Sequence, residues 1–178
     1  MNLRTLLVLW ASAALAGCGG EKPAEKAPAS PELSRFWMAN DPAGALSVPE
    51  AKAAAPREKA VVVGRISAFV KGTAAFKIVD VSLPYCGSAP DKMEGCPTPW
   101  DYCCETPDEL KAKTLFVEAR DAQGQVIPAS SIEGLRLLDL VALEGQLAKD
   151  EHGNVTLVTT GWYRRERPEL RDGLDWPR

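Results

Sequence analysis

Two strand-forming runs in this chain, 61–68 and 140–147, each keep a single glycine inside them, Gly64 and Gly145. A glycine in a strand interior gives up side-chain packing, and where one stands it marks a bulge or a sharp coil. Both runs are therefore expected to bend strongly. The segment 75–83 predicts another strand, with Phe76, Ile78 and Val81 as inward candidates around a bulge, and 114–120 a third that leads into the turn signal at 121–124. A short connector over 132–138, one or two helical turns long, precedes the second glycine-bearing run. The turn 150–154 then joins that run to a last strand over 155–163. Ahead of the first strand, Ser47 is an N-cap candidate and Pro49 sits just inside a run of good helix formers, so a short helix is predicted that stops before Pro56. Five strands, two of them coiled, suit a small barrel whose strands must bend to close.

The residues that carry a likeness are Val48 to Lys52 before the Val61–Ile66 run, Phe76 to Asp80, and the stretch from Leu138 to Leu147. In this order they resemble the OB-fold, and in particular the exported bacterial OB-fold domains. The resemblance implies a mainly β architecture: a five-stranded OB-like barrel with a short N-terminal helix, spanning about 47–167. It describes a scaffold and implies no catalytic chemistry. The departure from it is a long insertion between strands two and three, 84–111.

That insertion holds Cys86, Cys96, Cys103 and Cys104 in the spacing C-x9-C-x6-C-C. An even count in an exported chain favours two disulfides. Cys103 and Cys104 are neighbours, with Cα atoms about 3.8 Å apart where ordinary bridges need about 4.4 to 6.8 Å, so each is expected to reach back instead. Cys86 to Cys103 with Cys96 to Cys104, or Cys86 to Cys104 with Cys96 to Cys103, both satisfy this. If the thiols stay reduced, the four with nearby Met93 are a soft ligand set suited to Cu(I) or Zn(II), although the C-x2-C knuckle of structural zinc sites is absent. C-x-x-C, the usual mark of a thiol redox enzyme, is absent too. Between the cysteines, two prolines restrict the backbone around Trp100 and Tyr102. These aromatics either form a recognition surface or cover the cysteines and one mouth of the barrel.

The chain begins with a short apolar leader over 1–17 that has Arg4 as its charged region and ends in small residues. Leu15-Ala16-Gly17-Cys18 resembles the lipobox of bacterial lipoproteins. This resemblance implies cleavage before Cys18 and lipid on its thiol, which makes a durable membrane anchor. Gly19 in place of aspartate implies sorting to the outer membrane, on the periplasmic side, in a two-membrane cell. Residues 18–46 then read as a lipidated N-terminus and flexible spacer, rich in proline and charge. Phe36, Trp37 and Met38 form an apolar cluster in it that packs on the domain or touches membrane or a partner. Residues 168–178 read as a loose tail.

Loss of the leader removes one basic residue and no acidic one, taking the formal charge from −3 to −4. That balance argues against a nucleic-acid binder, which needs a basic face to meet phosphate. Arg164 and Arg165, with Arg167, form a basic run at the end of the last strand that could still serve as a binding surface. His152 is the only histidine and falls in a turn, so no histidine-based triad is assembled. Asp80 and Asp101 read as turn-capping acids. No phosphate loop, dinucleotide fingerprint or zincin motif is present. The expectation is a non-enzymatic envelope lipoprotein without a cofactor, binding an envelope protein or small ligand through barrel and loop. A Cu(I)/Zn(II) binder and an OB domain for nucleic acid or oligosaccharide are the alternatives.

Overall fold

The computed structural model describes residues 35–88 and 96–169. Helix α1, Val48–Ala54, starts as expected. Ser47 Oγ accepts from the Glu50 amide, and the Glu50 carboxylate accepts from the Ser47 amide at 2.8 Å. Its buried face is Val48 and Ala51. Five strands follow: β1 Arg57–Phe69, β2 Ala75–Val79, β3 Thr114–Ala119, β4 Leu140–Lys149 and β5 Val155–Glu166, with helix α2, Pro107–Lys113, between β2 and β3.

They close into a barrel in the order β1-β2-β3-β5-β4, with β4 returning to β1. Every pairing is antiparallel except β3 with β5. The fold is thus mainly β, a closed five-stranded OB-like barrel with two short helices. Along β1 the inward positions Ala60, Val62, Gly64 and Ile66 alternate with half-exposed ones. With Phe76, Ile78, Leu115, Val117, Leu143 and Leu157 they fill the interior.

The two strand glycines do different work. At Gly145 the β4–β5 register shifts, and an added Cβ would lie 2.3 Å from Val158 O. This is the expected bulge. At Gly64 the ladder to β4 is regular, and the glycine instead admits the close approach of its neighbour β2: a Cβ would sit 3.0 Å from Val79 O and 3.0 Å from Ile78 Cδ1. The irregularities of β1 fall elsewhere, between Ile66 and Ala68 against β2 and between Arg57 and Ala60 against β4.

Three other expectations change. Strand β2 ends at Val79, because Asp80 turns the chain: its carboxylate accepts from the Ser82 amide at 3.0 Å and its carbonyl from the Leu83 amide. Val81 consequently falls out of the alternation and is half exposed. Before β4, the helical turn is a 3-10 turn at Ala129–Ile132 rather than over 132–138. Finally, 35–46 lies against the barrel. Phe36 stacks on Trp162 at 4.8 Å, Trp37 meets the same indole edge-on, and Leu46 exchanges backbone hydrogen bonds with β1. Residues 36–38 therefore pack on the domain, the first of the two readings their sequence allowed.

Candidate functional site

The insertion leaves β2 at Asp80 and re-enters the barrel through α2. Asp80 ties this exit to the rest of the fold by also accepting from the Val48 amide at 2.9 Å. Burial pushes its carboxyl up, but hydrogen bonds from Ser82 and Val48, with Lys113 nearby, hold it below the usual aspartate value. Helix α2 buries none of its residues, so hydrophobic periodicity does not reveal it. Its sequence signal is capping: Thr106 accepts from the Glu109 amide, Pro107 opens the helix, and lysines end it. Lys52 of α1 caps the far end, donating to the Lys111 and Thr114 carbonyls.

The body of the loop is held to the barrel rim by a second, smaller core of Val79, Leu83, Tyr102 and Leu138, against which Tyr85, Trp100 and Leu110 pack. Arg65 of β1 stands over the Tyr85 ring at 5.7 Å. Leu138 takes a positive φ of 63° there, a conformation costly for a branched side chain. It is fixed by its amide donating to Ile66 O at 2.7 Å and by its carbonyl accepting from Arg65. Within the loop two chain segments run side by side, the Cys86 amide donating to Asp101 O at 2.7 Å and the Gly87 amide to Pro99 O at 2.6 Å. Only glycine fits at 87, since a Cβ would meet that same Pro99 carbonyl at 2.7 Å.

This pairing delivers the sulfurs to one place. Cys86 is buried, Cys96 half-buried, and Cys103 and Cys104 exposed. Cys86 Sγ lies 3.2 Å from Cys103 Sγ, where either sulfur can donate, and 3.9 Å from Cys104 Sγ. The sulfurs of Cys86, Cys96 and Cys103 all fall within 4.8 Å of one another. All four cysteines are free thiols. No disulfide is seen among the described residues, and Cys86 faces the 103–104 pair as both pairings required. Burial pushes the Cys86 thiol up, but hydrogen bonding with the Cys103 and Cys104 thiols and backbone outweighs it and leaves the group below its ordinary value. Cys103, hydrogen-bonded to Cys86, is pushed up to about 12.

Trp100 is half-buried on the small core. Tyr102 is buried and its hydroxyl has no hydrogen-bond partner among the described residues; burial drives its phenol upward. Tyr102 thus packs into the small core and does not present itself at the surface. Arg165 is engaged bidentately by Asp41 at 2.9 to 3.0 Å, and Arg164 stands over Trp37 at 5.6 Å, so both help hold the 35–46 segment. His152 is exposed in its turn beside Glu151. Asp101 accepts from the Tyr102 amide, a local turn contact. Cys18 and Met93 lie outside the described residues. Among the described residues no helix is long and apolar enough to cross a membrane.

No protein-family model and no curated protein matches the chain. Among solved structures it is similar to that of the hypothetical protein ygiW from E. coli, with 15% identity and a TM-score of 0.40, over 69% of this chain and 92% of that one.

Proposed function

We propose that this chain is a lipid-anchored lipoprotein of the bacterial envelope, facing the periplasm from the outer membrane in a two-membrane cell. Its barrel serves as a non-enzymatic scaffold that displays the 84–113 loop as a binding site. One observation carries the binding role. The loop is docked by a small core of its own, set apart from the barrel interior, and it gathers thiols of which Cys103 and Cys104 face solvent. A loop that only completed the barrel would send its side chains into the main core. This one is fixed on its inner side and open on its outer side, as binding loops on rigid scaffolds are. The anchor rests on the Leu15-Ala16-Gly17-Cys18 sequence, which places the acceptor thiol directly after a leader.

Two measurements test the reading. In cells fed a clickable fatty acid, the chain takes up label and sediments with membranes, and Cys18→Ala abolishes both; an unlabelled chain that stays soluble would contradict the anchor. Hydrogen exchange is then compared between the protein in envelope vesicles and the purified full chain. Slower exchange in the vesicles across 84–113, with the strands unchanged, is the expected result. No difference, or protection confined to the strands, would contradict the loop as the binding site.

A further inference from the structure

We propose that Cys86, Cys96 and Cys103 form a three-thiolate site for one Cu(I) ion, with Cys104 outside the ligand set. This rests on the reading of the loop as the binding site and assigns its ligand. The first argument is shape. A disulfide joins two sulfurs and has no use for a third, whereas here three sulfurs from separate points of the loop share one neighbourhood, none more than 4.8 Å from another. Metal–sulfur bonds of about 2.3 Å place the corners of a planar sulfur triangle about 4 Å apart. The 3.2 Å edge between Cys86 and Cys103 and the 4.8 Å limit bracket that length, so the ion fits after small side-chain rotations.

The second argument selects the metal. A structural Zn(II) site is tetrahedral and takes four protein ligands. Among the described residues no histidine, aspartate, glutamate or fourth cysteine joins the three sulfurs within the same span. Cys104 is fixed beside Cys103 along the chain; it approaches Cys86 at 3.9 Å and also meets Cys103, but it does not share the span that joins all three sulfurs. A soft d10 ion content with three thiolates suits the set as it stands, and thiolate ligands select Cu(I). Each ligand enters as a thiol and releases its proton to water, the ion remains Cu(I), and no electron moves. The two flanking chain segments, tied by the Cys86–Asp101 and Gly87–Pro99 hydrogen bonds, hold Cys86 facing the 103–104 pair.

The test titrates the reduced full chain, under argon, with Cu(I) held by the chromophoric chelator bicinchoninate. The chain is expected to remove one Cu(I) from the chelator. Cys96→Ser and Cys103→Ser should each weaken retention by at least about tenfold, the loss that even supporting residues around a metal produce. Cys104→Ser should bind as the parent does. Far-UV circular dichroism of each variant confirms the fold, and both Cys96 and Cys103 lie outside the buried core. The proposal is overturned if no copper is taken up, if Cys96→Ser and Cys103→Ser bind as the parent does, if Cys104→Ser also loses the ion, or if Zn(II) displaces it. Failure here with the loop still protected in envelope vesicles leaves the binding site standing with another ligand; loss of that protection removes both.

Discussion

Replacing Gly145 by alanine tests the closure of the barrel. The new Cβ would lie 2.3 Å from Val158 O, 2.8 Å from Thr159 Cα and 2.9 Å from Val158 C, all backbone atoms of β5. No side chain can rotate away to make room. The β5 backbone must therefore retreat by about 1 Å where it pairs with β4, and overpacking of this kind costs about 1–3 kcal/mol or more. Alanine otherwise stabilises by about 0.4–1 kcal/mol through a less disordered unfolded chain, so a net loss has to come from the clash. We expect Gly145→Ala to lose about 2–3 kcal/mol. Gly64→Ala meets Val79 O and Ile78 Cδ1 at 3.0 Å and Ile78 Cβ at 3.1 Å, longer than the contacts at Gly145, so about 1 kcal/mol is expected there. Gly161→Ala presses on the flexible Met38 side chain, at 3.1 Å, and meets Phe36 O only at 3.4 Å, so it should be near neutral. Urea unfolding reads the three midpoints at constant m-value. A Gly145→Ala chain as stable as the parent, or a reversed order, would refute the steric account.

Arg167→Ala should cost about 3–5 kcal/mol, because it strands a fully buried Asp139 carboxylate now held at 2.7 and 2.8 Å; adding Asp139→Asn should restore part of the loss in thermal melts. Asp80 titrates below its ordinary value in the fold, so its contribution is complete above about pH 4 and is lost as pH falls through the lowered value. Asp80→Asn should accordingly destabilise at neutral pH by about 1–3 kcal/mol and flatten the acid limb of the stability profile, measured by urea midpoints across pH. Tyr102→Phe removes a buried hydroxyl that has no partner among the described residues and should be neutral or slightly stabilising. Tyr102→Ala should loosen the loop and speed alkylation of buried Cys86, read by mass spectrometry of the labelled peptide.

The barrel was largely legible because alternation and turn residues report local geometry directly. Phe76 and Ile78 face inward as their spacing predicts, and Gly145 marks a real bulge. Strand ends were less legible. Arg57 and the run through Glu166 look like solvated charge, yet they are strand because a long β4 lies beside them to pair with. Gly64 illustrates the same limit: whether a strand glycine serves a bulge or a close approach depends on how β2 folds back against it, which alternation does not report. At the site, the disulfide reading of the cysteine spacing already had Cys86 facing the 103–104 pair. It could not show that Cys96 completes a triangle, which depends on how the loop folds back through Asp101 and Pro99. Tyr102 read either as a recognition aromatic or as a cover, and the small core built with Leu138 accounts for its burial.

The central claim is that a lipid-bearing chain carries a reduced, metal-loaded thiol cluster, and native mass spectrometry of the protein taken from its own envelope under non-reducing conditions tests it most directly. The account predicts a mature chain beginning at lipidated Cys18 with one copper ion, and four alkylatable thiols once the ion is removed. A chain without metal, four hydrogens lighter and inert to alkylation, would show two disulfides in place of the site and contradict it.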